Sequence, residues 1–327
     1  MKIIFFSAKK YDEEYFLLSN KQACHSLKFT EASLTNDTIN LITDEQVACV
    51  FVNDVLNYEV LLRLSKTTIK LIALRCAGFN NVDIKSAREL GFTVVNVPAY
   101  SPNAVAEHAV AIMLSLNRNI HRSYSRVRDG NFTLDGLLGF DFSGKTIGII
   151  GAGRIGSLVA QIMQSMGMQV LAYDPDSDKK DIQYVDMDTL FSQSDVISLH
   201  CPLNDATKHL INKASLDKMK QGVMLINTSR GAILDTCAVI DALKSKKLGY
   251  LGMDVYEYEN KLFFEDLSCD VIGDDIFERL LTFPNVLITP HQGFFTVEAL
   301  KNIADTTFNN IDQFANNIPI ENEIISV

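Results

Sequence analysis

The stretch "TIGIIGAGRIG", Thr146 to Gly156, decides the fold, because it sets a glycine pattern between a β-run and a helical pattern. The run Thr146–Ile150 is made of β-formers and feeds directly into G-x-G-x-x-G. In that pattern Gly151 permits a tight turn, Gly153 lets a pyrophosphate approach the backbone, and Gly156 lets the helix pack closely on the sheet. Apolar residues then recur at helical spacing, namely Ile155, Leu158, Val159, Ile162, Met163 and Met166. The stretch predicts a Rossmann-type dinucleotide site, with a purely structural glycine turn as the alternative.

An acidic residue stands where such a site needs one. Asp174 ends the next β-run, "QVLAYD", and its carboxylate is expected to accept hydrogen bonds from the adenosine ribose hydroxyls. Because Pro175 and Asp176 follow it rather than an arginine, a 2′-phosphate would be repelled, and NAD is favoured over NADP. Arg154 and Ile155 open the helix, whose N-terminus offers N–H groups and a positive dipole end to the pyrophosphate. The Arg154 side chain can add a charge-assisted contact.

Short apolar runs alternate with helical patterns along the chain, and this alternation predicts parallel sheets with helices on both faces. The strands predicted in the first part are Lys2–Ser7, Ala48–Val52, Lys70–Leu74 and Phe92–Asn96. Those predicted in the second part are Thr146–Ile150, Gln169–Tyr173, Asp195–Leu199, Val223–Asn227, Leu251–Asp254 and Val286–Thr289. The early helices predicted are Lys9–Leu18, Tyr58–Ser65 and Val82–Leu90.

A change of composition at "NVPAYSPNAVAEHAV", punctuated by Pro98 and Pro102, predicts the first crossing between two domains. Ser101 is a candidate cap for a long apolar helix that begins near Asn103. A last helix, Val297–Phe314, is expected to return to the first domain. The fold class predicted is therefore α/β, with two doubly wound parallel-sheet domains. A Rossmann NAD-binding domain of residues 101–298 is inserted in a flavodoxin-like substrate domain of residues 1–100 and 299–327.

Charge and composition exclude several function classes. The net charge is −10, so nucleic acid and anionic membrane surfaces are unfavourable partners. No apolar run reaches the ~20 residues that span a bilayer, and the start "MKIIFFSAKKYDEEYF" lacks a cleavable signal pattern. The six cysteines are scattered without C-x-x-C, and His25, His121 and His209 lack metal-ligand spacing. A cytoplasmic protein with reduced thiols and no bound metal is expected.

Three chemically active side chains follow three of the predicted strands. Arg230 lies in "VMLINTSRGAILD", Glu259 in "YLGMDVYEYE" with Asp254 and Glu257, and His291 in "VLITPHQGF". Because ligands of a doubly wound sheet bind outside the carboxyl ends of its strands, these side chains are expected to converge. Taken alone, Arg230 would be a surface ion-pair partner, Glu259 a solvated residue and His291 a structural histidine.

Taken together, they match one reaction, hydride transfer to a 2-oxo acid. A guanidinium can hold the substrate carboxylate, and an imidazole, which titrates near neutral pH, can give a proton to the ketone oxygen. A carboxylate on the other ring nitrogen fixes the tautomer. Two other histidines are interpreted differently: His108 as a packed, hydrogen-bonded residue of an apolar helix, and His200 as a residue at a strand end, beside Cys201 and near the nicotinamide.

These motifs resemble those of the D-isomer-specific 2-hydroxyacid dehydrogenase family over essentially the whole chain. The resemblance rests on "GAGRIG", "NTSRGAILD", "GMDVYEYE" and "TPHQGF", and it extends to "LRCAGFNNVD", "VPAYSPNAVAEHA", "DVISLHCPL" and "LFFEDLSCDVIGDD". It implies that Arg230 binds the substrate carboxylate and polarises the carbonyl. It also implies that Glu259 is the partner of His291, and that His291 is the general acid/base.

The resemblance implies further binding residues. Ala77 and Gly78, in "RCAGFNN", match a loop whose N–H groups hold the substrate carboxylate. Tyr100 matches a tyrosine placed over that carboxylate, and Phe294 matches a wall of a small substrate pocket. The additional cofactor contacts expected are Cys201, Pro202, Thr228 and Asp254.

The members it resembles most are the fermentative, NAD-dependent ones of bacteria, and reversible reduction of pyruvate to D-lactate is the function this implies. One alternative is a related dehydrogenase acting on a larger 2-oxo acid such as phenylpyruvate, since methylene-sized discrimination is worth only about 1–3 kcal/mol. Another is an NAD-binding transcriptional corepressor, a class that shares the fold. The segment "HRSYSRVRDGNFTLDGLLGFDFSGK" resembles the family's dimerisation region, so a homodimer or a tetramer built from two dimers is expected.

Overall fold

The computed structural model describes residues 1–23, 25–176, 181–259 and 262–325, so the thiol of Cys24 lies outside the described residues. Within these ranges the chain forms two compact units, Met1–Ser101 with Phe294–Val327, and Pro102–Gly293. Each unit has a parallel sheet flanked by helices, which confirms the predicted fold class. The cysteines described are free thiols, with Cys49, Cys76 and Cys201 buried and Cys237 and Cys269 exposed.

Strands and helices mostly alternate along the chain. The strands are β1 Lys2–Phe5, β2 Ser26–Phe29, β3 Val47–Val50, β4 Leu71–Leu74, β5 Thr93–Val95, β6 Thr146–Ile150, β7 Gln169–Tyr173, β8 Gln183–Tyr184, β9 Val196–Leu199, β10 Val223–Asn227, β11 Leu248–Met253 and β12 Val286–Ile288. The α-helices are α1 Lys10–Ala23, α2 Tyr58–Leu64, α3 Ile84–Glu89, α4 Pro102–Asn117, α5 Ile120–Arg128, α6 Arg154–Ser165, α7 Met187–Gln193, α8 Lys213–Lys218, α9 Thr236–Lys244, α10 Asp275–Leu281 and α11 Val297–Ala315. Short 3₁₀ helices cover Thr38–Leu41 and Gly231–Ile233.

The sheet of the first unit has the strand order β2-β1-β3-β4-β5 in the described part of the chain. Strands β3 and β4 are buried on both faces, which is why they read as unbroken apolar runs. Helix α11 begins where the Thr296 side chain accepts a hydrogen bond from the N–H of Ala299, and it packs on α1 and β4. The last helix thus lies in the first unit.

Two features of the first unit differ from the prediction. Strand β2 was not predicted, because its "SLKF" side chains are only half-buried at the sheet edge and pairing with β1 defines it. The second boundary between the units lies before Phe294, not between residues 298 and 299. Phe294 and Phe295 belong to the first unit because their rings pack against Phe51 and Tyr11 there.

The sheet of the second unit has the order β12-β11-β10-β9-β6-β7-β8 among the described residues. The chain winds outward from β6 to β7 and β8, and then crosses back to place β9 on the other side of β6. Such a reversal creates a crevice at the carboxyl ends of the strands, where ligands of these sheets bind. Strand β8 was not predicted, because this edge strand is only two residues long.

Helices α4 and α6 cover one face of this sheet around β6. Helix α4 packs on α6 and on β11, where a Cβ added to Gly252 would lie 2.3 Å from a methyl carbon of Ile112. Because Gly252 has no side chain, α4 can pack close to β11, the strand that ends next to Asp254. None of the helices in the described ranges is both long and apolar enough to cross a bilayer.

Candidate active site

The glycine-rich turn joins β6 to α6 and leaves no room for a side chain at two of its three glycines. Gly151 has φ +91°, and a Cβ added there would lie 2.6 Å from the backbone nitrogen of Cys201. A Cβ on Gly156 would lie 2.0 Å from the carbonyl oxygen of Gly151. At Gly153, the N-cap of α6, an added Cβ would meet no described atom within 4 Å. The turn therefore exposes backbone at a helix N-terminus, a place suited to phosphate groups.

Asp174 follows β7 and lies against the glycine turn. Its Oδ2 accepts a hydrogen bond from the N–H of Ala152 at 2.7 Å, and Oδ1 accepts one from the N–H of Asp176 at 3.0 Å. A carboxylate has about four lone-pair sites, so both oxygens keep capacity for a hydroxyl donor. Arg154 begins α6 with an exposed side chain, and Ile155 beside it is half-buried. The arrangement fits a ribose at Asp174 and a phosphate group near Arg154.

The ends of β9 and β10 supply the next groups on this edge. Cys201 is buried, and burial raises the pKa of its thiol to about 11, whereas Pro202 is exposed. The Ser229 hydroxyl donates a hydrogen bond to the carbonyl oxygen of Cys201, which ties the two loops together. Thr228 is buried, and its Oγ1 has no hydrogen-bond partner among the described residues. A buried hydroxyl without a hydrogen-bond partner destabilises the folded protein, and a bound ligand that pairs with it would remove this destabilisation.

These observations fit a dinucleotide on the second unit. The glycine cradle, the acceptor at Asp174 and the unpartnered hydroxyl of Thr228 follow β6, β7 and β10, whose carboxyl ends share one edge of the sheet. Cys201 and Pro202 follow β9, the strand that lies between β6 and β10 in the sheet. His200 also lies there, with its Nε2 2.8 Å from the Ser198 hydroxyl, and burial lowers the pKa of His200 to about 4. Its imidazole is therefore neutral at physiological pH.

Arg230 lies between β10 and the second 3₁₀ helix, with a half-buried side chain. Its Nη1 donates a hydrogen bond to the carbonyl oxygen of Ser229 at 2.7 Å, and Nδ2 of Asn227 donates to the Arg230 carbonyl oxygen at 2.9 Å. Within the described ranges no carboxylate pairs with the guanidinium. Most of its five N–H donors are therefore open to an anion such as a carboxylate.

His291 and Glu259 form a direct pair. Nδ1 of His291 lies 2.8 Å from Oε1 of Glu259, and both side chains are mostly buried. The other oxygen, Oε2, accepts a hydrogen bond from the N–H of Tyr256 at 2.8 Å, which fixes the carboxylate. A carboxylate at Nδ1 selects the tautomer that carries the proton there. In the described part of the chain Nε2 has no hydrogen-bond partner, so it is the nitrogen able to exchange a proton with a substrate.

Asp254 lies directly after β11, is 2% exposed and contacts the loop that carries His291. Its Oδ1 accepts a hydrogen bond from the N–H of Gln292 at 2.9 Å, and its Oδ2 accepts one from the N–H of Gly293 at 2.8 Å. Burial acts to raise the pKa of Asp254, but hydrogen bonds from His108 and Thr289 and the nearby imidazoles outweigh it and lower the pKa. The carboxylate is therefore ionised, and its placement at the nicotinamide stays a prediction.

Gly231 brings two loops of the candidate site into close contact, and it was not among the predicted site residues. A Cβ there would lie 2.0 Å from the carbonyl carbon of Tyr256 and 2.2 Å from the nitrogen of Glu257. The loop after β10 therefore packs backbone to backbone against the loop after β11. This contact brings the segment of Arg230 against the segment that carries Glu259. The sequence signal was available, because glycine directly follows a candidate catalytic arginine.

In the first unit, Ala77 and Gly78 lie in the loop after β4. The Ala77 carbonyl oxygen accepts a hydrogen bond from Nδ2 of Asn96 at 2.8 Å, and the Gly78 carbonyl oxygen accepts one from the thiol of Cys76 at 3.2 Å. No described group accepts a hydrogen bond from the N–H of either residue. Two adjacent N–H groups without an acceptor among the described residues are both able to donate to an anion.

Tyr100 and Phe294 lie together in the same unit, with ring centroids 6.2 Å apart in an edge-to-face arrangement. Phe51, which the sequence reasoning missed, has its ring 6.1 Å from that of Phe294. Phe51 directly follows β3, so the rule that ligands lie beyond the carboxyl ends of strands could have identified it. The guanidinium of Arg75 stacks on the Phe51 ring at 4.9 Å.

The chain is similar to known proteins over its full length. Residues 110–293 match the family model described as D-isomer specific 2-hydroxyacid dehydrogenase, NAD binding domain. D-lactate dehydrogenase of Escherichia coli is 50% identical over 99% of this chain and 100% of its own length. The apo-structure of D-lactate dehydrogenase from Escherichia coli has a TM-score of 0.91 at 48% identity, covering 99% of this chain and 100% of that one. The structure reported for the pyruvate reductase of Chlamydomonas reinhardtii has a TM-score of 0.92 at 43% identity, covering 98% of each chain.

Proposed function

Because the chain belongs to the D-isomer-specific 2-hydroxyacid dehydrogenase family, an NAD-dependent enzyme family, we propose that it reduces pyruvate to D-lactate, reversibly and with NADH as the reductant. The relatives named above support this substrate, since one is called a D-lactate dehydrogenase and another a pyruvate reductase. The net reaction consumes one proton, and the enzyme therefore needs a group that donates it to the substrate.

The observation that carries the proposal is the His291–Glu259 pair. With Glu259 at Nδ1, the His291 ring presents Nε2 to a substrate, and in reduction Nε2 gives its proton to the oxygen of the 2-oxo group. The Glu259 carboxylate stabilises the doubly protonated ring before the transfer and holds its orientation. In lactate oxidation the same nitrogen takes the hydroxyl proton.

Arg230 is assigned to the substrate carboxylate. Its open N–H donors suit a bidentate contact with a carboxylate, and their charge also polarises the adjacent carbonyl. The open N–H groups of Ala77 and Gly78 are assigned to the same carboxylate. Binding of this kind fixes the 2-oxo group in one orientation. The imidazole of His291 can then protonate it without a separate encounter between the two groups.

The NAD site is assigned to Gly151, Gly153, Arg154, Ile155, Gly156, Asp174, Cys201, Pro202, Thr228 and Asp254. When bound there as NADH, the cofactor supplies the hydride that reaches C2 of the oxo acid. Asp174 selects the unphosphorylated ribose, because a 2′-phosphate would meet the carboxylates of Asp174 and Asp176.

Small substrates are favoured by the aromatic cluster of the first unit. The ring of Phe294 packs against those of Phe51 and Tyr100, and we assign these three rings to the wall facing the substrate side chain. Such a wall suits the methyl group of pyruvate better than the ring of phenylpyruvate. The discrimination against each extra methylene would be about 1–3 kcal/mol.

We assign a homodimer through the segment of α5 and the loop after it. Phe132, Leu134 and Leu138 are 74%, 82% and 89% exposed there, and we infer that these large apolar side chains are covered by a partner. A second copy of the chain is the occupant that the family resemblance indicates. Sedimentation velocity should give a dimer or a tetramer, and Leu138→Asp should shift it to smaller species; a monomeric parent would refute the assignment.

The test of the proposed substrate is NADH consumption by the purified protein with a panel of 2-oxo acids. Pyruvate should give the highest kcat/KM, and chiral analysis of the product should find D-lactate. A higher kcat/KM with phenylpyruvate or a branched oxo acid would overturn the pyruvate assignment and leave the family intact.

A further inference from the structure

His108, on helix α4, reaches the buried carboxylate of Asp254. Its Nε2 lies 3.2 Å from Oδ1 of Asp254 and 3.0 Å from Oγ1 of Thr289. The Thr289 hydroxyl in turn lies 2.6 Å from the same Oδ1. The reaction proposed above gives His108 no part, although it is one of the groups that hold this carboxylate.

The donors and acceptors in this cluster can be assigned. The Asp254 carboxylate is ionised and only accepts, so the Thr289 hydroxyl must donate to it. Because the Thr289 proton is used in that way, the single N–H on Nε2 of His108 must be the donor, and Oγ1 of Thr289 and Oδ1 of Asp254 share it. His108 therefore carries a proton on Nε2 whether the ring is neutral or charged. The imidazole holds the hydroxyl and the carboxylate in one relative position.

The carboxylate, held in this way, fixes the loop of His291. It accepts the N–H groups of Gln292 and Gly293, the two residues that follow His291. His291 itself has φ +53°, a left-handed conformation that a residue with a side chain keeps only when its surroundings impose it. From this backbone conformation Nδ1 reaches Glu259 at 2.8 Å.

Gly293 shows how closely the loop approaches this cluster. A Cβ added there would lie 2.9 Å from Oδ2 of Asp254 and 3.3 Å from Cδ2 of His108. The loop thus rests directly on the carboxylate and on the edge of the imidazole ring. A change in the position of either side chain would be transmitted to the backbone next to His291.

We propose that His108 is a positioning residue for His291, acting through Asp254 and Thr289 on the left-handed loop; this inference rests on the proposed role of His291 as the proton donor. His108 itself exchanges no proton with the substrate. Its contribution is to keep Nε2 of His291 where the substrate oxygen can receive the proton, and a misplacement of about 1 Å can cost 10²-fold in rate.

The activity test compares His108→Leu with His108→Gln. Leucine keeps much of the volume and removes the donor, so kcat should fall about 100-fold, while the affinity for NADH, measured by fluorescence titration, should change much less than kcat. Glutamine places an amide N–H donor close to the position of Nε2 and should restore most of kcat. His25→Gln is the matched control, because His25 also contacts a carboxylate, Asp312, but lies far from the loop in sequence.

A second readout separates this inference from the proposed function. In protein labelled with ¹⁵N-histidine, the ring signals of His291, identified through His291→Gln, report the Nδ1–H bond to Glu259. These signals should shift in His108→Leu and return in His108→Gln, even if pyruvate proves not to be the substrate. Inactivity of the parent with every 2-oxo acid, combined with this shift, would refute the proposed function and support the positioning role.

A third variant guards against simple loss of folding. Thr289→Val removes the hydroxyl from the same cluster with little change of volume, and it should shift the His291 signals and lower kcat in the same direction as His108→Leu. The inference would be overturned if His108→Leu or Thr289→Val folds and shows the parent's kcat and the parent's His291 signals. A kcat of His108→Gln as low as that of His108→Leu would also overturn it, because the donor would then not be the property that matters.

Discussion

Nδ1 of His291 lies 2.8 Å from Oε1 of Glu259, and the second carboxylate oxygen is held by the N–H of Tyr256. This pair connects two loops that follow neighbouring parallel strands, β11 and β12. It leaves Nε2 as the proton-exchanging atom. The chemistry proposed for the enzyme depends on this relationship more than on any other contact.

Glu259→Gln tests the pair directly. The neutral amide no longer stabilises the doubly protonated ring, and it can turn its NH₂ group toward Nδ1 and select the wrong tautomer. We expect kcat to fall by about 10²- to 10⁴-fold with little change in NADH affinity. Glu257→Gln is the control, because Glu257 lies two residues earlier and contacts His209 instead. Equal kcat values for the two variants would show that the pairing with His291 is not what Glu259 provides.

Arg230→Lys should weaken substrate binding. Lysine keeps the charge but not the planar pair of N–H donors, so KM for pyruvate and the inhibition constant of oxamate should both rise. Loss of one charge-assisted hydrogen bond, about 1.5–3 kcal/mol, corresponds to roughly a 10- to 150-fold increase. Arg279→Lys, at a guanidinium that stacks on Phe283, is the control. An unchanged KM for pyruvate in Arg230→Lys would remove the guanidinium from the substrate site.

Asp174→Asn should change the choice of cofactor. The amide keeps an acceptor for the N–H of Ala152 but removes the charge that repels a 2′-phosphate. The ratio of kcat/KM for NADH to that for NADPH should therefore decrease, mainly because NADPH improves. Steady-state kinetics with both cofactors measures this ratio. A variant with the parent's ratio would show that the Asp174 charge does not set the preference.

His200 should make the folded state sensitive to acid. Burial lowers the pKa of His200 to about 4, while an unfolded histidine titrates near 6.5. Above pH 6.5 the residue is neutral in both states and its effect on stability is constant. As the pH falls below about 6.5, the unfolded chain binds a proton that the folded chain does not, so stability decreases until about pH 4.

Urea unfolding without cofactor measures this effect. Between about pH 7.5 and pH 5, His200→Gln should lose about 1–2 kcal/mol less free energy of unfolding than the parent. The rest of the acid sensitivity, from other groups, should be common to both proteins. If the parent and His200→Gln lose the same free energy of unfolding over this pH range, the pKa of His200 is not lowered in the folded protein.

Much of the second unit could be predicted from sequence, because local patterns there coincide with tertiary roles. Strands β6, β7 and β10 have the predicted bounds. Their apolar runs are buried on the sheet, and a glycine turn or a polar residue marks the end of each. The edge strands β2 and β8 were missed, since short, half-buried edge strands depend on pairing with a neighbour rather than on an apolar run.

The candidate site was predictable to the extent that its residues follow strands. Arg230, Glu259 and His291 were identified in this way, and the structure pairs the last two. The role inferred for His108 could not be predicted, because its contact with Thr289 joins residues 181 positions apart. From sequence alone His108 is a histidine on an apolar helix. The prediction that it is packed and hydrogen-bonded is correct, but it does not identify the residues that His108 contacts.

The most direct test of the central claim is the turnover of pyruvate by the parent and by His291→Gln, followed by NADH absorbance, with NADH affinity measured separately. We predict rapid turnover to D-lactate by the parent and a loss of about 10²- to 10⁴-fold in kcat for the variant, at an unchanged affinity for NADH. A His291→Gln variant that reduces pyruvate at the parent's rate would contradict the assignment of His291 as the proton donor.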